Sequence, residues 1–182
     1  MKQRLLFLGP PGAGKGTQAQ RLAASHGLLH LSTGELLRAE VQAATPLGQE
    51  AEAVMARGEL VSDALVLAIV RHRLESHSGG WLLDGFPRNL PQALALDDLL
   101  AQLGQSIEQV LLMELEDPVL LQRLLARGRA DDNAEVIRHR LAVYRDQTAP
   151  LITHYQSLGL LQPVEASGTV EEIGERIRAV LE

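Results

Sequence analysis

"GPPGAGKGTQ", residues 9–18, follows the apolar run "RLLFLG" (4–9) and opens a helical pattern, "GKGTQAQRLAASHG", that stops at Gly27. Gly9, Gly14 and Lys15 satisfy the spacing G-x-x-x-x-G-K between a strand and a helix. Glycines let backbone N–H groups turn inward around an anion, where side chains would collide with it. The helix that starts here points unpaired N–H groups and the positive end of its dipole at the same place. Lys15 adds a mobile charge for the outer phosphates of a nucleoside triphosphate. One position departs from the general pattern: Gly16 stands where Ser or Thr usually follows the lysine, and Thr17 comes one residue later. The hydroxyl that would hold Mg²⁺ is displaced, so the ion is expected to be held largely through water.

Outward from the loop, strand-length apolar runs alternate with helical patterns. "RLLFLG" (4–9), "LLHL" (28–31), "WLLDG" (81–85), "QVLLMEL" (109–115) and "LLQPV" (160–164) read as five strands. They are continuously apolar, as strands of a parallel sheet covered on both faces must be. The pattern predicts an α/β doubly wound fold, a phosphate-loop core with helices on both faces of a five-stranded parallel sheet. Only residues 32–62 break the rhythm: two helices stand between strands two and three where one would suffice, followed by a third. That segment reads as an inserted arm. At 182 residues the chain reads as one domain with small insertions.

Composition narrows the function classes. Apolar residues make up 46% and charged residues 22%, and no apolar run reaches membrane-spanning length. The N-terminal apolar stretch is too short for a secretory signal. The chain has no cysteine, which excludes a disulfide scaffold and a cysteine-ligated zinc site and fits a reducing cytoplasm. A net charge of −6 argues against a broad nucleic-acid surface. The fifteen arginines against two lysines tell less by number than by place.

Three further stretches carry chemistry. In "GGWLLDGFPRNLPQA" (79–93), Asp84 ends a strand beside the first one, where a carboxylate can organise Mg²⁺ or its waters. Arg88 follows within reach of the loop, and Pro87 rigidifies the turn, in trans or cis. In "LSTGELLRAEV" (31–41), Ser32 or Thr33 is positioned to cap a helix that carries Arg38. In "QRLLARGRADDNAEVIRHR", Arg123 and Arg127 share a helical face, Arg129 follows, and Arg138 and Arg140 lie on the next helix. Asp131 and Asp132 sit at the turn, where they can cap that helix and orient the arginines. Such runs are usually solvated faces, but arginines converging on a triphosphate would neutralise charge developing on a transferred group. The six histidines show no metal-ligand spacing and read as structural. Transfer to another phosphate needs no general base, because a phosphate monoester with second pKa near ~6 is already an anion at neutral pH. Positioning and electrostatics then suffice.

Taken together, "GPPGAGKGTQ", "STGELLR", "LVSD", "DGFPRNLPQA" and "RADDNAEVIRHRL…Y…TAPLI" resemble the adenylate kinase family of nucleoside monophosphate kinases, in order, from residue 4 to about 180. The resemblance implies Mg²⁺-dependent conversion of ATP and AMP into two ADP, on a core flanked by an AMP-binding arm (32–61) and a lid (126–132). It implies that Gly12, Ala13, Gly14, Lys15, Gly16 and Thr17 cradle ATP phosphates, with Arg127 and Gly168 also on the ATP side. It implies an AMP site of Thr33, Arg38, Met55, Glu59, Leu60, Val61, Gly85, Phe86, Pro87, Arg88 and Gln92, with Gln92 reading the base. Arg129 and Arg140 would bridge toward AMP. Lys15, Arg88, Arg123, Arg129 and Arg140 would stabilise the transferred group, and Asp84 would organise Mg²⁺. No zinc, nucleic acid or membrane is implied, and a cytoplasmic monomer is the family default.

Two features depart from the family pattern. Long-lid members carry extra residues where this chain passes from "LLARG" directly to "RADD", so closure must rely on a minimal turn. Asn89 after Arg88 also occurs in pyrimidine monophosphate kinases, whereas Thr33 and Gln92 point to AMP. A UMP/CMP kinase is the nearest alternative. A guanine-nucleotide switch would want an N-K-x-D reader, which is absent, and a binding module without turnover is opposed by retention of the arginines.

Overall fold

A computed structural model of the chain describes residues 1–56, 61–128 and 133–182, and, of Met55, the backbone alone. The expected contributions of Glu59, Leu60, Arg129, Asp131, Asp132 and the Met55 side chain therefore lie outside what is described. Five strands, β1 (Arg4–Leu8), β2 (Leu29–Ser32), β3 (Trp81–Asp84), β4 (Gln109–Glu114) and β5 (Leu161–Glu165), form one sheet in the order β2-β3-β1-β4-β5. Every pairing is parallel. Helix α1 (Lys15–His26) follows β1; α2 (Thr33–Gln42), α3 (Pro46–Ala56) and α4 (Asp63–Glu75) separate β2 from β3; α5 (Leu90–Gln102) follows β3. Helices α6 (Asp117–Arg127) and α7 (Ala134–Ser157) separate β4 from β5, and α8 (Val170–Leu181) closes the described chain.

The continuous apolarity of the strands has the anticipated cause. Successive side chains of a strand point to opposite faces, and here each face has its own core. Leu6, Leu8, Trp81, Leu83, Val110 and Leu112 pack with residues of α2, α4 and α5. Leu5, Phe7, Leu82, Leu111 and Met113 pack with α1, α6 and α8. Helix α7 serves both: Ile137 and Leu141 belong to the second core, Leu151 and Tyr155 to the first. Its middle lies between the two cores and faces the C-terminal end of β1.

Local signals account for most helix ends. Gly27 (φ 64°) and Gly128 (φ 71°) adopt the left-handed conformation that closes α1 and α6. Ser62 accepts from Leu65 N–H, and Thr169 with Glu172 forms a reciprocal capping box at α8. One expectation needs correction. Ser32 stands at the N-cap of α2 but its hydroxyl makes no capping bond. Helix α7 has Asn133 at its N-cap, whose side chain accepts from Val136 N–H, the third helical residue; the caps expected of Asp131 and Asp132 lie outside the described residues. Strands β2 and β5 also begin one residue later than the apolar runs suggest.

Candidate active site

The order of strands reverses at β1, and ligands of open α/β sheets bind in the crevice beyond the carboxyl ends of strands at such a switch point. Both stretches that carry the strongest sequence signals end there: Phe7 pairs with Asp84 across β1 and β3. The loop after β1 turns at Gly12 (φ 86°) and Gly14 (φ 84°), conformations that cost a side chain but not glycine. Ala13 is fully buried, and α1 begins at Lys15. Thr17 lies exposed in the first turn of α1.

Behind the loop sits Asp84, buried at the end of β3. Lys15 Nζ is 3.4 Å from its Oδ1 and His30 Nε2 is 3.6 Å from its Oδ2. Burial pushes the carboxyl up, but the imidazole of His30 and the charge of Lys15 outweigh it, so its pKa lies below the ordinary 3.8. The group is therefore an anionic, hard oxygen donor at neutral pH. His30 was expected to be structural only; its place beside Asp84 follows from the β2–β3 register, which no motif signals.

A cleft of about 980 Å³ opens above these groups, lined by the loop (Gly9, Pro11, Lys15), by Gly85, Pro87 and Arg88, and by α7 from His139 to Thr148. Lys15, Arg88 and Arg140 thus converge on one space, together with His139 and Tyr144, which sequence reasoning missed. Burial, then the charge of Glu114, pushes the Tyr144 phenol up to about 12, so it faces the cleft as a neutral hydroxyl. The turn bearing Arg88 is held rigidly. Phe86–Pro87 is a cis bond, Phe86 is buried in the core, and Arg88 Nε donates to Gly85 O at 2.9 Å.

The remaining expected residues fall in three groups. Thr33 lies against the turn: a side chain at Gly85 (φ 90°) would meet its Oγ1 at 2.8 Å. Arg38 leans back over Gly34 on α2, and Val61 packs against the first core. Gln92 is engaged by the protein itself, with Oε1 accepting from Arg88 N–H and Nε2 donating to Asp63. Asn89, the departure from the family pattern, has a local explanation: it caps α5 by accepting from Gln92 N–H at 3.0 Å.

Arg123 is the largest surprise among the arginines. Its Nη2 donates to Ala166 O at 2.9 Å and its Nη1 to Gly12 O at 3.4 Å. It ties the phosphate loop to the segment before Gly168 (φ 101°), which Arg176 holds from the other side through Glu165 O and Ser167 O. Arg127 ends α6, and Arg140 lines the cleft.

A family model described as Adenylate kinase matches residues 7–160. The chain belongs to the adenylate kinase family. It is a phosphotransferase with an ATP-binding phosphate loop. An adenylate kinase of Synechococcus sp. (strain RCC307) is 74% identical over 181 residues, covering 100% of both chains. Those of Prochlorococcus marinus (strain MIT 9303) and Synechococcus sp. (strain WH7803) are 68% and 69% identical, again over 100% of each chain. Among the described residues no helix is long and apolar enough to cross a membrane, and no group of three or more His, Cys, Asp or Glu is placed to hold a metal ion.

Proposed function

We propose that the enzyme moves the terminal phosphoryl group of ATP to AMP, reversibly, giving two ADP. The observation that carries this reading is the convergence of Lys15, Arg88 and Arg140 on a single cleft floored by the phosphate loop. Both reactants are polyanions, and the transferred group spreads charge over its equatorial oxygens. Three cations in one cleft meet that charge without a general base.

In this reading Gly12 to Thr17 hold the phosphates of ATP, Arg127 adds charge, and Gly168 lets the base approach backbone. Arg123 keeps the two ends of that site at a fixed separation. AMP lies against Thr33, Arg38, Gly85, Pro87, Arg88 and Gln92, with Met55, Glu59, Leu60, Val61 and Arg129 completing its site. The buried Phe86 contributes through the backbone and the rigidity of the turn. Residues 32–61 form the acceptor arm and residues 126–132 the lid. Asp84, kept ionised at the loop's edge, fits Mg²⁺, which takes few protein ligands and keeps several waters. When bound with ATP, Mg²⁺ neutralises phosphate charge. Lys15 Nζ lies 3.4 Å from Asp84 Oδ1, so the same carboxylate also orients the lysine. We assign the enzyme to the cytoplasm, as a monomer.

The test is product analysis with Mg·ATP and, separately, AMP, UMP, CMP and GMP. Formation of ADP with AMP, two per ATP consumed, and little transfer to the others is the expected result. Preferential transfer to UMP or CMP would overturn the acceptor assignment, and transfer to none would overturn the activity.

A further inference from the structure

The amide of Gln92 is held at both of its ends. Nε2 donates to Asp63 Oδ1 at 2.7 Å, and Oε1 accepts from Arg88 N–H at 2.7 Å. These partners are not interchangeable. An ionised carboxylate only accepts and a backbone N–H only donates. Exchanging the amide oxygen and nitrogen would set oxygen against carboxylate and NH₂ against N–H. The chemistry of the two partners therefore dictates which way the amide points. Asp63 belongs to the first turn of α4, not to the element that carries Gln92, and neither the phosphate loop nor the arginines give it a role.

We propose that Asp63 is a specificity-determining residue for the acceptor base, acting as a positioning residue through Gln92. This rests on the reading of Gln92 as the group that contacts that base. After its two internal bonds the amide keeps one N–H and one lone pair, in a fixed order. Such an order suits one arrangement of acceptor and donor on a base edge, the N1 and N6 amino group of adenine. Hypoxanthine has the same ring, but an N1–H and a 6-oxo group reverse the arrangement. Size cannot separate these two bases. An amide free to flip would serve both, whereas a pinned one leaves polar groups unpaired against hypoxanthine. The Asp63 contact is exposed and worth less than a buried one, and the Arg88 N–H is a second pin.

The test measures kcat/KM for AMP and for inosine monophosphate, with Mg·ATP as donor, together with the thermal midpoint. Asp63→Asn is isosteric and offers both a donor and an acceptor, so it pairs with either orientation of the amide. It should lower the preference for AMP over inosine monophosphate about threefold, mainly by a gain on the latter, since the altered pin is an exposed hydrogen bond and the Arg88 N–H still opposes the flip. The kcat with AMP should stay within about twofold. Asp63→Ala leaves Nε2 without its carboxylate and should shift the preference the same way. Gln92→Leu removes the amide and should abolish the preference. A preference intact in Gln92→Leu would overturn the reading of Gln92. A preference lost in Gln92→Leu but unchanged in both Asp63 variants would overturn the proposal alone, and a lowered melting temperature without a change in preference would assign Asp63 only to the helix dipole. Equal use of both acceptors by the unaltered enzyme would overturn both.

Discussion

Replacing Arg123 by Met removes two hydrogen bonds from the junction between the phosphate loop and the segment after β5, while the apolar stem is retained. The bond to Ala166 O, at 2.9 Å, is short and charge-assisted, and Ala166 is fully buried. The bond to Gly12 O, at 3.4 Å, is long and weak. A hydrogen bond from a charged donor contributes about 1.5–3 kcal/mol, and partial exposure of this side chain favours the lower half of that range. A loss of roughly 2 kcal/mol lowers the thermal midpoint of a domain of this size by about 4–8 °C. Scanning calorimetry of the ligand-free protein is the right assay, because no nucleotide contact contributes there. The kinetic signature is separate: KM for ATP should rise, because loop and base segment lose their common strap, while KM for AMP should change little. Arg123→Lys should recover little of either, since an ammonium lacks the planar fork that reaches two carbonyls. A ligand-free Arg123→Met protein that melts within a degree of the parent, yet binds ATP poorly, would refute the strap and return this guanidinium to the phosphates.

Two other perturbations follow from single close approaches, and a third from burial. A Cβ at Gly48 would meet Glu40 O at 1.9 Å, a backbone contact that cannot rotate away, so Gly48→Ala should part α3 from α2. A cost on the order of 3 kcal/mol is expected from overpacking, read as a midpoint lowered by roughly 6–12 °C; an unchanged melt would sink it. At Gly85 the left-handed φ of 90° and the 2.8 Å approach to Thr33 Oγ1 act together. Gly85→Ala should cost about 1–3 kcal/mol of backbone strain and raise KM for AMP with KM for ATP largely preserved; equal rises would contradict the placement of Thr33. Finally, burial raises both tyrosines, Tyr144 to about 12, helped by Glu114, and Tyr155 beyond that, helped by Asp97. A raised folded-state pKa means the associated stability is full below the ordinary 10.0 and is lost as pH climbs toward about 12. Alkaline titration should show no tyrosinate absorbance near pH 10.0 while circular dichroism stays native; a midpoint there in folded protein would contradict the burial of both rings.

What was legible in the sequence is what depends on neighbours along the chain. A glycine spacing, an apolar strand and a helix stop are each decided within a dozen residues, so the phosphate loop, the five strands and the α1 terminus at Gly27 could be read directly. The arm between β2 and β3 announced itself as a break in rhythm. Partners were not legible, because they depend on how two elements are rotated against each other. Asp63 looks in sequence like an acid complementing a helix dipole, and Gln92 lies 29 residues away on a different helix. His30 looks like a strand histidine until β2 pairs with β3 and brings it to Asp84. Asn89, noted in sequence only for its occurrence in pyrimidine monophosphate kinases, caps α5 through its side chain.

The arginines make the same point about charge. Counting them near the motif suggests a uniform cluster aimed at phosphate, but a guanidinium is also the side chain best suited to gather buried carbonyls, having five donors in a rigid fork. Arg123 joins Gly12 O to Ala166 O across 111 and 43 residues of chain, and Arg176 gathers Glu165 O and Ser167 O. Arg88 gives only Nε to Gly85 O, which leaves the terminal nitrogens outside that bond, and it lines the cleft together with Arg140. The chain therefore divides one residue type between two tasks. Some arginines hold backbone around the cleft, and others line the cleft itself. Substitutions in the first group should register in ligand-free stability, and those in the second chiefly in turnover.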